Sequence, residues 1–256
     1  MIKPLIKGLI KKIIYKSRIA LINPFLDREV TWKKTIKFLI ETRKDLAQQG
    51  FKRAKGCFAE FGVQNGESFG VIWEIIHKMD PNNEVFVPEV HAFDSFEGLP
   101  ASSEISDMHS FVGEGSFNSL GSDVFVKRMK ELNLPIENLK IVKGYYSDTL
   151  STEDSDLIPC KNVIFANIDC DYYSSTIEVL DFLKQYLKDG AFLYFDDIGY
   201  YNYNPHKGQL KAIDEFNKKN QNCGISRFEG FDGYGRLYVF WEMNLQEKST
   251  EALKKE

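Results

Sequence analysis

The feature that most constrains this chain is a repeated pattern. A short, nearly continuous apolar run stops at an acid or a glycine, and a stretch of helical periodicity follows. CFAEF (57–61) leads into Gly62, VHAF (90–93) stops at Asp94, and LKIV (139–142) runs on to Gly144. VIFANI (163–168) then stops at Asp169, and AFLYF (191–195) stops at Asp196 and Asp197. Strands that are apolar on both faces belong inside a parallel sheet, because crossover helices cover both sides. The expected fold class is therefore α/β, a mostly parallel sheet with helices on both faces. SRFEGFDGYGRLYVFW (226–241) reads as two strands around a glycine-rich turn, an antiparallel C-terminal pair. Helices are expected from the first glycine turn to about Met79, over 175–187 with Gly190 closing it, and over 210–219. Residues 98–122 are polar and rich in Gly and Ser; a connection that long reads as a functional loop or lid.

The N-terminal 50 residues differ from the rest. Leu5, Ile6, Leu9, Ile10, Ile13 and Ile14 recur at helical spacing with lysines between them, and a second helix is expected over 31–49, closed by Gly50. Residues 1–18 carry Lys3, Lys7, Lys11, Lys12, Lys16 and Arg18 and no acid, which is +6 in a chain of net charge −4, so the remainder is −10. An acidic body argues against binding a phosphate backbone, so no nucleic-acid partner is expected. The first helix is expected to pack on the body or on a second subunit, a homodimer, in preference to an anionic membrane surface. The domain organisation read from the sequence is a helical extension (1–50), an α/β domain (51–243) and a polar tail (244–256). With 20 Phe and 12 Tyr the chain carries too much apolar area to be disordered. No run of about 18 apolar residues reads as a membrane span. The four cysteines, Cys57, Cys160, Cys170 and Cys223, have no CxxC or other metal-type spacing and read as free thiols in a reducing cytosol.

In open α/β sheets ligands bind at the carboxyl ends of the strands, and here those ends carry unusual residues. Gly62 and Gly66 bracket a turn after the first strand, and Asp94 follows 32 residues after Gly62. A glycine turn followed by an acid after the second strand suits a nucleoside-containing cofactor, the acid accepting hydrogen bonds from ribose hydroxyls. The turn is not GxGxxG; the pattern does not separate NAD from S-adenosylmethionine, and the lack of a defined pyrophosphate site tilts it away from NAD. Read alone, each element is also compatible with an ordinary turn or cap. Asp169-Cys170-Asp171 ends one strand and Asp196-Asp197 the next, 27 residues on. A crossover of that length makes the strands neighbours, so four carboxylates meet at one rim. Carboxylates that close repel one another, and a divalent cation removes the conflict. All-oxygen donors favour Mg²⁺, with Mn²⁺ or Ca²⁺ as alternatives. The competing reading is a set of solvated turn acids.

FAEFGVQNGES, HAFDSFEGLP, IDCDYYSST and FDDIG, in this order, resemble the macrocin O-methyltransferase family, metal-dependent sugar O-methyltransferases of class I, Rossmann-like fold. The resemblance runs from about Cys57 to Phe216 and includes GQLKAIDEF. It implies that Glu60, Gly62, Gly66 and Asp94, with Ser68 and Ser95 in the same segments, form the S-adenosylmethionine site. It implies that Asp169, Asp196 and Asp197 are metal ligands and that Asp171 is the general base. Asn65-Gly66-Glu67 departs from the small-residue pair common in the family. The chemistry agrees: a sugar hydroxyl is a poor nucleophile until a cation lowers its pKa and a carboxylate takes its proton. The expected substrate is a sugar hydroxyl, on a nucleotide-linked sugar of surface-polysaccharide or glycosylated-metabolite synthesis. A rival reading is a nucleotide-sugar glycosyltransferase using Asp169 and Asp171 as a DxD motif; another is a non-catalytic scaffold. His206 is a reserve base, Tyr200, Tyr201 and Tyr203 are candidate sugar contacts, and His91 reads as a satisfied core histidine.

Overall fold

The computed structural model describes residues 24–48, 54–150, 156–228 and 235–243. The basic stretch 1–20, the glycine-rich turn near 229–234 and the tail from 244 lie outside the described residues. Among the described residues the helices and strands run α1 (Pro24–Gln48), β1 (Gly56–Phe61), α2 (Glu67–Met79), β2 (Phe86–Asp94), α3 (Ser122–Glu131), β3 (Leu139–Lys143), α4 (Tyr146–Thr149), β4 (Val163–Ile168), α5 (Tyr173–Leu183), β5 (Leu187–Phe195), α6 (Gly208–Lys219), β6 (Cys223–Arg227) and β7 (Arg236–Glu242). The seven strands form one sheet in the order β3-β2-β1-β4-β5-β7-β6. The first five are parallel, and β7 runs antiparallel to both β5 and β6. The chain order reverses between β1 and β4, and that switch point opens the crevice where ligands bind.

The continuous apolar runs are explained by the two faces they serve. Every residue of β1 and of β4 is buried. Alternate residues divide between the faces, as the period of a strand requires. Ala59, Phe61, Ala166, Ile168, Leu193 and Phe195 pack under α5 and α6. Phe58, Phe165, Phe192 and Tyr194 face α1, α2 and α3. Helix α1 is part of this second layer: Trp32, Ile36 and Leu39 are buried, and the Trp32 ring meets Tyr194 edge-on at 5.8 Å. None of the helices among the described residues is long and apolar enough to cross a membrane.

Helix α1 begins at Pro24, ahead of the start expected at residue 31, and a second boundary differs as well. The helix expected over 175–187 ends at Leu183, and Gly190 does not close it. Strand β5 begins at Leu187, which pairs with Val163, whereas Phe165 pairs with Phe192. Two residues of β4 thus face five of β5, and Gly190, at φ 76°, takes the left-handed backbone of that bulge. Its carbonyl accepts from the buried Arg43 of α1 at 3.1 Å. The helical periodicity of 184–187 is the continuation of an apolar face that the strand, not the helix, uses.

Candidate active site

Above the carboxyl ends of β1, β2, β4 and β5 lies a cavity of about 720 Å³. Just beyond the strand ends at its rim, three non-glycine residues adopt left-handed backbone: Gln64 (φ 46°) after β1, Phe96 (φ 58°) after β2 and Asp171 (φ 54°) after β4. Such residues cost energy and cluster where a site dictates them. Each turns a backbone N–H toward a carboxylate or stands beside one that does. Gln64 N donates to Asp94 Oδ2 at 2.7 Å, Phe96 N to Asp94 Oδ1 at 2.6 Å, and Asp171 N to Asp197 Oδ2 at 3.0 Å. Asp94 is thereby fixed at the cavity wall with one lone pair on each oxygen still available to a ligand hydroxyl. Its burial raises its pKa, against the pull of the Gln64, Phe96 and Val63 N–H groups.

The glycines of the first turn also answer to packing, and Gly62 lines the cavity. A Cβ on Gly62, at φ 91°, would lie 1.7 Å from the Asp169 carbonyl oxygen. Gly62 therefore lets the β1 turn seat against the end of β4, which brings the Asp94 and Asp169 sides of the cavity together. A Cβ on Gly66 would meet the Phe125 ring at 2.6 Å and Met129 at 2.7 Å; that glycine admits α3 against the start of α2 and does not line the cavity. Glu60 is also beneath the wall and wholly buried. Its Oε1 accepts from Ser68 Oγ at 2.5 Å, so it holds Ser68, which does face the cavity. Burial pushes the Glu60 carboxyl up to about 8, offset in part by Ser68 and Asn167 and reinforced by Asp196 and Asp94. Ser95 faces the cavity and caps its own turn through Gly98 O at 2.9 Å.

The acids of the second constellation converge. One carboxylate oxygen from each of Asp169, Asp196 and Asp197 lies within 4.8 Å of the others. Parallel pairing explains this: Ile168 on β4 is in register with Phe195 on β5, so the residues that follow are adjacent. Burial raises the pKa of all of them. Asp169 and Asp197 stand well above the carboxylate range, with the neighbouring acids adding to the effect. Asp196 is pushed up to about 6 by burial, held back by Arg28. Asp171 is raised to about 7 by burial first and Asp196 second. The donors fit a hard divalent cation: all are oxygens, they are mutually close, and Asp196 Oδ1 is buried without a hydrogen-bond partner.

The sequence reading missed two residues that complete the site. Arg28, on α1, reaches across to Asp196, with Nη1 2.6 Å from Oδ2. Among the described residues it is the one basic residue lining the cavity, against eight acids. Asp107, in the 98–122 loop, accepts from Ser102 Oγ at 2.7 Å and from Ser174 N at 3.1 Å and Oγ at 2.5 Å. The Tyr201 hydroxyl donates to the Asp107 carbonyl at 2.9 Å. On its other flank the loop meets the first turn, where Gln64 Nε2 donates to Phe117 O at 3.2 Å and Leu120 N donates to Asn65 Oδ1 at 3.0 Å. The loop thus spans the cavity from one wall to the other. Neither residue follows an apolar run, so no local pattern flags it. Of the three tyrosines, Tyr200 lines the cavity and stacks on His109 at 4.4 Å, Tyr201 is buried in the loop anchor, and Tyr203 is exposed. His206 is exposed and lies off the cavity wall.

Comparison with solved structures places this architecture. The O-methyltransferase NovP aligns with a TM-score of 0.59 at 21% identity, over 83% of this chain and 79% of NovP. CalS11, a calicheamicin methyltransferase, aligns with a TM-score of 0.60 at 19% identity, over 89% of this chain and 86% of CalS11. At such identities the likeness establishes a shared class I methyltransferase fold. No curated protein sequence matches this chain. The family profile of macrocin-O-methyltransferase (TylF) matches residues 26–229, a span that holds α1, the glycine turn, Asp94, the spanning loop and both acidic pairs. By that match the chain belongs to the macrocin-O-methyltransferase family, whose members are S-adenosylmethionine-dependent O-methyltransferases.

Proposed function

We propose that this chain transfers a methyl group from S-adenosylmethionine to a sugar hydroxyl held at a Mg²⁺ site formed by Asp169, Asp196 and Asp197. The observation that carries the reading is the crowding of three carboxylates within 4.8 Å at adjacent strand ends. Their elevated pKa values express burial first and, at Asp169 and Asp197, repulsion between neighbouring acids, and a bound dication would offset both. The lining supports the choice of cofactor. One arginine against eight acids is hostile to the pyrophosphate of NAD or of a nucleotide sugar held inside the cavity. It suits a sulfonium cation. The same balance weighs against the DxD glycosyltransferase reading, and a nucleotide-linked sugar would have to keep its diphosphate toward the mouth.

In this reading Asp94 receives the ribose hydroxyls, while Ser68, held by Glu60, and Ser95 line the same side. Asp196 divides its oxygens: Arg28 holds Oδ2 and fixes the rotamer, leaving Oδ1 for the cation. When bound, the cation lowers the pKa of a hydroxyl beside it and makes an alkoxide accessible near neutral pH. Asp171 accepts the hydroxyl proton; its carboxyl, raised to about 7, is matched to that task. The new bond joins the sugar oxygen to the methyl carbon, the carbon–sulfur bond breaks, and S-adenosylhomocysteine departs neutral at sulfur. The loop anchored by Asp107 and Tyr201 excludes water while Tyr200 offers a ring against the sugar. CalS11 is a TDP-rhamnose 3'-O-methyltransferase, and a deoxysugar or hexose carrying vicinal hydroxyls is the substrate class we favour here, in a cytoplasmic homodimer.

The test is mass spectrometry of a panel of glycosides and sugar nucleotides incubated with the protein and S-adenosylmethionine, with Mg²⁺ or with chelator. One added methyl on a sugar, lost in chelator, is expected. Transfer indifferent to chelator would remove the cation from the mechanism, and consumption of the nucleotide sugar with release of nucleoside diphosphate would favour the glycosyltransferase.

A further inference from the structure

A second cluster of ligand atoms lies away from the cavity, toward the amino ends of β1 and β4. The sulfurs of Cys57 and Cys160 and one ring nitrogen of His91 all lie within 4.8 Å of one another. The sequence gives no hint of it, because the three residues are 34 and 69 positions apart. Strand register assembles it. His91 on β2 pairs with Ala59 on β1, and Cys57, two residues earlier, shares the face of Ala59. Cys160 sits in the turn before β4, and its thiol donates to the Asn162 carbonyl at 3.3 Å. The Cys57 N–H donates to that same carbonyl at 2.8 Å, which draws the two cysteines together.

His91 supplies an independent observation. It is fully buried, yet neither ring nitrogen makes a hydrogen bond among the described residues. The expected satisfied core histidine instead faces a thiol and a carboxylate without a well-aligned hydrogen bond to either among the described residues. Leaving such a group unpaired is costly, and buried polar groups with no partner call for an explanation such as an ion. Glu89, two residues away on the same face of β2, places Oε1 3.2 Å from His91 Nε2. That oxygen is itself buried and without a hydrogen bond. A carboxylate facing one imidazole nitrogen is the arrangement that orients a metal-binding histidine and leaves the other nitrogen for the ion.

We propose that Cys57, Cys160 and His91 form a binding site for a soft divalent cation, Zn²⁺, with Glu89 positioning His91. Two thiolates and an imidazole match the donor preference of zinc and not that of Mg²⁺. Tetrahedral bonds of about 2.3 Å to sulfur separate two thiolates by roughly 3.8 Å, so the cluster needs to contract by only about an ångström. Both thiol protons pass to solvent on binding. The half-buried Cys160 gives the ion a path in, and a water completes the fourth position. The site ties the start of β1 to β2 and to the turn entering β4, so its role is to hold strand register beneath the active site. It is independent of the catalytic reading above.

The experiment uses the full chain, fully reduced and stripped of metal, titrated with Co²⁺ as a spectroscopic stand-in and then with Zn²⁺. We expect one Co²⁺ per chain with a sulfur-to-cobalt charge-transfer band in the near ultraviolet, displaced by Zn²⁺. The acid cluster of the cavity has no thiolate among its proposed ligands and cannot produce that band. Cys160→Ser should abolish the band while leaving Mg²⁺ binding unchanged, and its circular dichroism reports whether it folds. Glu89→Gln, on a partly exposed residue, should retain the band and weaken affinity by about 10- to 100-fold. Absence of the band in the reduced wild-type chain would overturn the proposal. So would its survival in Cys160→Ser, or formation of a Cys57–Cys160 disulfide in a chain that takes up no Zn²⁺ after reduction.

Discussion

At the carboxyl ends of the strands, Asp169, Asp196 and Asp197 crowd beside an open cavity; toward the amino ends, Cys57, Cys160 and His91 crowd inside the packed core. Both clusters draw residues distant in sequence into one place, and both leave buried polar atoms without hydrogen bonds. They differ in how the backbone treats them. The acids follow strand ends where Gln64, Phe96 and Asp171 carry left-handed backbone and aim N–H groups at carboxylates. The thiols and imidazole sit where the register of β1 shifts and beside Lys161, itself left-handed at φ 52°, and the Cys57 N–H and the Cys160 thiol donate to one shared carbonyl. The end that opens onto the cavity is placed to bind and exchange ligands, and the end that lies between strands is placed to hold them together. Perturbing the first should change chemistry with the fold intact, and perturbing the second should spare chemistry.

The largest expected effect tests that division at its most reactive point. Asp171→Asn should lower turnover by roughly 10²- to 10⁴-fold, the usual size of a lost general base, with metal and cofactor affinities nearly unchanged. Extra Mg²⁺ should not rescue it. Steady-state kinetics beside calorimetry decide the matter, and recovery in high Mg²⁺ would make Asp171 a ligand instead. Asp169→Asn should behave in the opposite way, weakening Mg²⁺ binding by at least about tenfold and regaining part of its rate in excess metal.

Asp94→Ala should weaken S-adenosylhomocysteine binding by about 1–3 kcal/mol, the cost of lost charge-assisted hydrogen bonds, as measured by calorimetry. Unchanged affinity would take Asp94 out of the site.

Burial of the acids gives a pH signature. The folded-state pKa of Asp171 is about 7 and that of Asp196 about 6, above the ordinary carboxylate value near 4. Between about pH 4 and pH 7 the folded chain therefore binds more protons than the unfolded chain, so this cluster's contribution to stability falls as pH rises through that window. Mg²⁺ should raise Tm more at pH 8 than at pH 5 in thermal melts; an equal rise at both would mean that the carboxylates do not hold it. The smallest effect closes the comparison: Cys160→Ser should leave methyl-transfer turnover within about twofold, as expected of a change far from the chemistry.

The parts legible in the sequence are those that repeat locally. Apolar runs located β1, β4 and β5, and each ended at the residue that proved to border the cavity, because a buried strand can only stop where the chain meets polar surroundings. The convergence of Asp169 with Asp196 and Asp197 was legible too, since a crossover of 27 residues makes its strands neighbours. The glycine turn was legible in position but not in purpose: Gly62 and Gly66 are small because Asp169 and Phe125 press on them, and which groups press is a tertiary fact.

What the sequence determined by itself was the alternating α/β order, the strand-end acids and the family they announce. Tertiary structure alone decided that Arg28 of an N-terminal helix reaches Asp196, that Asp107 anchors the spanning loop, and that Cys57 and Cys160 meet His91. The physical reason is separation along the chain. A period of two or of 3.6 residues is written into neighbouring side chains, whereas a contact across 168 positions, as between Arg28 and Asp196, exists only after sheet and helix have packed.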